Sequence, residues 1–256
     1  MTGMKTQTNR SCIFAASMTL GVILYALFRI LLENSVLSAA PSFFIIQLIA
    51  LAVAEMICRT LKLAPPKRLT VADMTRIAVL AAAASILFLV EIPVVAFYKL
   101  DLSNIPALLG AFSMGTVPGL IILGLKSAIG LLHSSSAGVG ELADFVMGAA
   151  LLIPASLIYH RNKTRKTALV GMAIGTVCTA VVGVLVNKFI MLPFYMGAFH
   201  MDMQGILGFA NVGGVDSEWK LLLMITGPFN LLKGIVLSVV TGLIYKPLSP
   251  ILHGKK

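Results

Sequence analysis

Polar and apolar positions in this chain alternate by whole segments, not residue by residue. Apolar runs at about residues 12–32, 42–61, 76–95, 105–114, 120–132, 141–159, 167–190 and 219–245 are separated by short polar or basic stretches. Several approach the roughly 20 residues that a helix needs to cross a hydrocarbon layer. A transmembrane barrel would alternate at single positions instead. The pattern predicts an all-α polytopic membrane protein. The runs at 105–114 and 120–132 are short and are parted by Gly115-Thr116-Val117-Pro118-Gly119. They read as tilted, as partial, or as broken helices that line a cavity.

Local signals place the boundaries. Arg59, Lys62, Pro65-Pro66, Lys67 and Arg68 form a basic, proline-broken linker. It divides the chain into a two-span extension, residues 1–62, and a six-span domain, residues 70–256. Thr70 or Asp73 is expected to cap the helix that follows. Glu91-Ile92-Pro93 marks the far end of that helix, and residues 97–106 form a loop in which Ser103 or Asn104 caps the next one. A long loop is expected over residues 193–218. Ala78 and Ala82 are four apart, as are Ala81 and Ser85, a spacing that lets another helix approach closely. Packing within the chain and docking of a partner both fit that spacing.

Composition strengthens the membrane reading. The chain of 256 residues is 58% hydrophobic and only 12% charged, more apolar surface than a soluble core of this size requires. The net charge of +10 raises the question of nucleic acid. The basic residues, however, gather at the ends of apolar runs. An N-terminus on the inner side places most of them there, from Lys5 to Lys256, with Lys99, Lys188 and Lys220 at outer ends. That asymmetry is the positive-inside pattern of a cell-membrane protein with both termini cytoplasmic, so no nucleic-acid partner is expected. The run at 12–32 is too long for a signal-peptide core and reads as a retained span. Cys12, Cys58 and Cys178 have no metal or disulfide spacing and read as packing residues.

Charge inside the spans points to a site. A lysine at mid-membrane costs about 2.5–3.5 kcal/mol on insertion scales, so Lys233 needs a partner, a wet cavity or a ligand. Asn230 lies three residues earlier and shares its helical face. Asp101, Asn104, Glu141, Asp144 and Asn187 add polar groups from other parts of the chain, toward the outer half. Two readings stand for Lys233: a solute contact, or a structural pair with Glu141 or Asp144. Lys126 also needs polar surroundings, and a structural role is favoured for it. Glu141 suits either a helix start or a ligand contact. A membrane hydrolase is the contrasting reading, since Glu141 and Asp144 are one turn apart with His133 near. It lacks an HExxH pattern, and the four histidines are scattered. The Walker A pattern GxxxxGK[ST] is absent, so active uptake requires ATP-hydrolysing partners.

From about residue 70 onward the sequence resembles the riboflavin-specific substrate-binding subunits (S components) of the energy-coupling factor (ECF) transporters. The resemblance rests on Lys99-Leu100-Asp101-Leu102-Ser103-Asn104-Ile105-Pro106-Ala107-Leu108-Leu109-Gly110 and on Gly138-Val139-Gly140-Glu141-Leu142-Ala143-Asp144-Phe145. It rests also on Asn187 ahead of Leu192-Pro193, and on Pro228-Phe229-Asn230-Leu231-Leu232-Lys233-Gly234. It implies a six-helix fold with both ends inside, riboflavin as the transported ligand with no cofactor, and a lid in the first outer loop. It implies substrate contacts from Asn187, Asn230 and Lys233, and the same motifs add Leu100, Asp101 and Glu141. Ala78 and Ala82 match the surface that docks on a transmembrane scaffold subunit, which two ATP-binding subunits drive. An S component for another vitamin or a nucleobase remains the alternative. Three departures stand out: the two additional spans, a longer outer loop at 196–218, and Asp144 where asparagine is expected.

Overall fold

Thr70 opens the first described helix with a reciprocal cap. Its hydroxyl accepts the Asp73 amide at 3.2 Å, and the Asp73 carboxylate accepts the Thr70 amide at 3.1 Å. Two of the helix's orphan amide groups are satisfied in this way. The computed structural model describes residues 69–95, 98–134, 136, 138–200, 202–210 and 214–252. They fall, apart from Leu69, within one compact unit, Thr70–Lys256. Cys12, Cys58, the two N-terminal spans and Phe97 lie outside the described residues.

Helix α1 (Val71–Phe88) leads to a two-stranded antiparallel hairpin, β1 (Ile92–Val95) and β2 (Tyr98–Leu100). The apolar run at 76–95 is therefore not one helix. Pro93 has no amide to donate to a helical ladder, and Val94 and Val95 are β-branched. Ile92 pairs with Leu100, and the register slips between Pro93 and Val95. Helix α2 (Asn104–Met114) follows, then α3 (Thr116–Gly130) with a 3₁₀ turn at Leu131–His133. Next come α4 (Val139–Asn162) and α5 (Arg165–Val186). A π-helical turn at Asn187–Met191 carries α5 into α6 (Leu192–Phe199), and α7 (Met203–Ala210) follows. Helix α8 (Glu218–Lys220) passes through a second π turn, Leu221–Thr226, into α9 (Gly227–Leu252). The segment expected as a loop at 193–218 thus contains two short helices.

Among the described residues, five helical stretches are long and apolar enough to cross a membrane: Val71–Phe88, Thr116–His133, Val139–Asn162, Arg165–Gly197 and Glu218–Tyr245. Helix α2, at 11 residues, is a shorter apolar helix. At 1.5 Å per residue it rises about 16 Å, roughly half a hydrocarbon layer. Its first residue, Asn104, is buried. The chain therefore enters α2 from inside the bundle, which lets polar groups at 101–104 meet mid-helix lysines.

The inner packing is close. A Cβ on Gly175 of α5 would stand 2.4 Å from the Leu151 carbonyl oxygen of α4, and one on Gly171 would stand 2.7 Å from that of Ala155. These glycines, four apart, let the two backbones touch, as small residues do between membrane helices. The α4–α5 connection is short: Lys163 takes a left-handed conformation, and Thr164 caps α5 by bonding Thr167. The apolar core runs through Ile77, Ala81 and Ala84 of α1, Leu108 and Phe112 of α2, Ile122 and Leu123 of α3, and Leu151 and Leu152 of α4. Ala81 and Ala84 therefore face inward. Ala78 and Ala82 lie on the exposed face of α1, together with Val79 and Ile86.

Candidate substrate-binding site

Among the described residues two lysines lie buried inside the bundle, and carboxylates answer both. Lys126 of α3 is fully buried. Its ammonium donates to Asn104 Oδ1 at 2.6 Å, to Ser103 Oγ at 2.9 Å and to Asp144 Oδ2. Lys233 of α9 donates to Asp101 Oδ2 at 2.7 Å and to Asp144 Oδ1 at 3.2 Å. Asp144 of α4 bridges the two ammonium groups, so two cations balance two anions. Buried charges persist in apolar surroundings when they are paired and hydrogen-bonded in this way.

The turn before α2 presents three of these partners. Asp101 Oδ1 accepts the Ser103 amide at 3.0 Å and also the Ser103 hydroxyl. A carboxylate bonded to the backbone two residues on makes an Asx turn. It steers the chain from β2 into α2 and aims the other carboxylate oxygen at Lys233. Ser103, expected as a cap, occupies the cap position but makes no capping bond. Its hydroxyl joins the charge network instead.

Asn187 and Asn230 meet at Gly183. Asn187 Nδ2 donates to the Gly183 carbonyl at 2.8 Å. The Asn230 amide packs so tightly on Gly183 that a Cβ there would stand 2.6 Å from both its Cγ and its Nδ2. Asn230 Nδ2 in turn donates to the Thr226 carbonyl at 2.9 Å. Each amide gives one N–H to its own helix and keeps its oxygen and a second N–H. Asn187 opens one π turn, and Thr226 closes the other. Such turns reaim side chains and are frequent at functional sites. Asn230 and Lys233, one turn apart, are both buried on α9.

The hairpin reaches the same region. The Tyr98 hydroxyl is bonded to Thr226 Oγ1, and the Tyr98 ring lies 5.2 Å from that of Phe229. Burial pushes the Tyr98 phenol up to about 12. Leu100, half-buried, ends β2 next to Asp101. Glu141 takes a different part. Its carboxylate accepts Ser134 Oγ at 2.8 Å and Ser136 Oγ at 3.3 Å, tying down the loop before α4. Among the sequence-proposed residues, Asp101 and Lys233 are in direct contact, and Asn187 and Asn230 converge on Gly183. Glu141 binds its own loop, and Ala78 and Ala82 sit apart on α1.

Comparison with known proteins settles the family. Residues 72–245 match the family described as "ECF transporter, substrate-specific component". The chain belongs to the substrate-specific components of the ECF transporters. Similar curated proteins include the riboflavin transporter RibU of Staphylococcus aureus, 32% identical over 68% of this chain and 88% of that protein. The riboflavin transporter FmnP of Bacillus subtilis is 27% identical over 72% of this chain and 93% of that one. A solved S component of a bacterial ECF transporter superposes with a TM-score of 0.56 at 29% identity, covering 72% of this chain and 98% of that chain. This S component is thus a membrane transport subunit, and the hydrolase reading is set aside.

Sequence reasoning gave Lys126 a structural role and did not find its partners. The available signal was charge balance, because Lys126 and Lys233 inside the spans call for carboxylates, and Asp101 and Asp144 supply them. The Tyr98–Thr226 contact left no sequence signal, since 128 positions separate the two residues.

Proposed function

We propose that this S component captures riboflavin at the membrane face that carries the hairpin, and that this is the outer face, a reading that the basic-residue asymmetry supports. It delivers riboflavin inward when joined to a transmembrane scaffold subunit and two ATP-binding subunits. Both termini are cytoplasmic in this reading, and residues 70–256 form the capture domain, with the two-span extension accessory to it. The relatives' names, riboflavin transporters, favour this ligand over other vitamins.

The observation that carries the reading is the meeting of Asn187 and Asn230 at Gly183, one turn from Lys233. Isoalloxazine is flat, and its pyrimidine edge offers donors and acceptors side by side. An asparagine amide matches both kinds. Lys233 gives two N–H groups to Asp101 and Asp144, which leaves its third for a ligand oxygen. Tyr98 and Phe229 supply aromatic surface next to the amides. The hairpin serves as the lid over this pocket, and the exposed Ala78–Ala82 face of α1 docks on the scaffold.

Purification followed by titration with riboflavin, read by quenching of flavin fluorescence, tests the proposal. Saturable quenching with a stoichiometry of one is expected. Saturable binding of a different vitamin, with none for riboflavin, would reassign the ligand.

A further inference from the structure

Lys126 is the buried ionisable group that the flavin reading leaves without a task. All three of its N–H groups are committed: to Ser103, to Asn104 and to Asp144. It is fully buried, with the Phe88 ring 5.0 Å from its ammonium. No donor is left for a solute, so Lys126 cannot itself be a substrate contact. Lys233 differs in having one donor to spare. The two lysines share Asp144, each on its own carboxylate oxygen.

We propose that Lys126 is a positioning residue for the substrate: it fixes Asp144 through Oδ2, so that Asp144 Oδ1 and Asp101 aim Lys233 at the ligand. This inference rests on Lys233 being a riboflavin contact. When the ligand draws on Lys233, the Asp144 carboxylate keeps a full cation at its other oxygen. Without Lys126, Asp144 has Lys233 as its remaining counter-ion, and every step of Lys233 toward the ligand exposes a buried anion. Ligand and Asp144 then compete for one ammonium. Lys126 removes that competition and also holds the 103–104 turn against α3.

The test is riboflavin titration of the full chain carrying Lys126→Met, Asp144→Asn, both together, or Lys126→Arg, each with its melting temperature. Lys126→Met and Asp144→Asn are each expected to weaken riboflavin binding at least about tenfold, because each leaves one buried charge without its partner. The double variant removes both charges, keeps an amide oxygen for Lys233, and is expected within about threefold of wild type, as coupled neighbours allow. Lys126→Arg keeps the charge and should bind more tightly than Lys126→Met. A purely structural pair would lower the melting temperature of the single variants and leave the Kd of the folded protein unchanged, and that result overturns the proposal. If Lys126→Met does not fold, the comparison of the double variant with Asp144→Asn decides, and equal or weaker binding by the double overturns it. Wild-type protein that fails to bind riboflavin defeats the flavin reading and this inference together. Wild-type binding with unaffected variants defeats the inference alone.

Discussion

Lys233 Nζ lies 2.7 Å from Asp101 Oδ2, joining the last long helix to the turn that follows the hairpin across 132 positions of sequence. In the proposed reading, the contact ties the ammonium that meets the ligand to the segment that serves as lid. Lys233→Ala removes it and leaves Asp101 buried without a cation. Breaking a buried pair from one side destabilises by about 3–5 kcal/mol. Thermal unfolding should register that loss, and fluorescence titration of the protein that remains folded should show weakened riboflavin binding. Unchanged affinity would remove Lys233 from the site.

Gly183 predicts a compensating pair. An added methyl would strike the Asn230 amide, so Gly183→Ala should displace that amide and impair binding. Asn230→Ala leaves a polar edge of the flavin unpaired, at about 1–3 kcal/mol, or roughly 5- to 150-fold in Kd. In the Asn230→Ala background, the second substitution at Gly183 should cost little further affinity, because the colliding amide is gone. Additive losses in the double variant would contradict the packing described here.

The hairpin latch predicts a kinetic effect. Tyr98→Phe keeps the ring against Phe229 and deletes the hydroxyl bonded to Thr226. A net hydrogen bond contributes about 0.5–1.5 kcal/mol, so riboflavin release should accelerate about 2- to 12-fold with little change in association. Stopped-flow fluorescence separates the two rates. The raised Tyr98 pKa adds a pH dependence. The phenol is neutral in both folded and unfolded states below pH 10, where its contribution is fully present. That contribution declines as pH rises from about 10, the ordinary value, through about 12, the folded one. Between pH 6 and 9 the latch should not vary.

The exposed face of α1 predicts a separation of binding from transport. Ala78→Arg with Ala82→Arg places bulk and charge on the exposed face of α1. Riboflavin affinity of the isolated subunit should stay at the wild-type value, while uptake into cells carrying the scaffold and ATP-binding subunits falls. Normal uptake by the double variant would move the docking surface elsewhere.

Much of this architecture could be read in advance. Apolar runs bounded by polar or basic stretches gave the long helices of the described residues, and Thr70 with Asp73 gave the first cap among them. What escaped was hydrophobicity in a non-helical form. Ile92, Val94 and Val95 look like the end of a span but pair as a strand, because β-branched residues around Pro93 suit an extended chain. The candidate site, as proposed, was partly legible. Lys233 and Asn230 stand out because lipid rejects them, and their spacing puts them on one face. The partners of Lys233 were open between Glu141 and Asp144, and Glu141 turned instead to Ser134 and Ser136. Spacing within a helix reports which face a residue takes, not which distant loop meets it. For the same reason Ser103 read as a cap, although its hydroxyl serves Asp101 and Lys126.

The most direct measurement is equilibrium titration of the purified full-length subunit with riboflavin, followed by quenching of flavin fluorescence beside the Asn230→Ala variant. The account predicts one saturable site in the wild type and a marked loss of affinity in the variant at comparable thermal stability. Wild-type protein that is folded yet leaves flavin fluorescence unchanged, or a variant that binds as tightly as wild type, would contradict it.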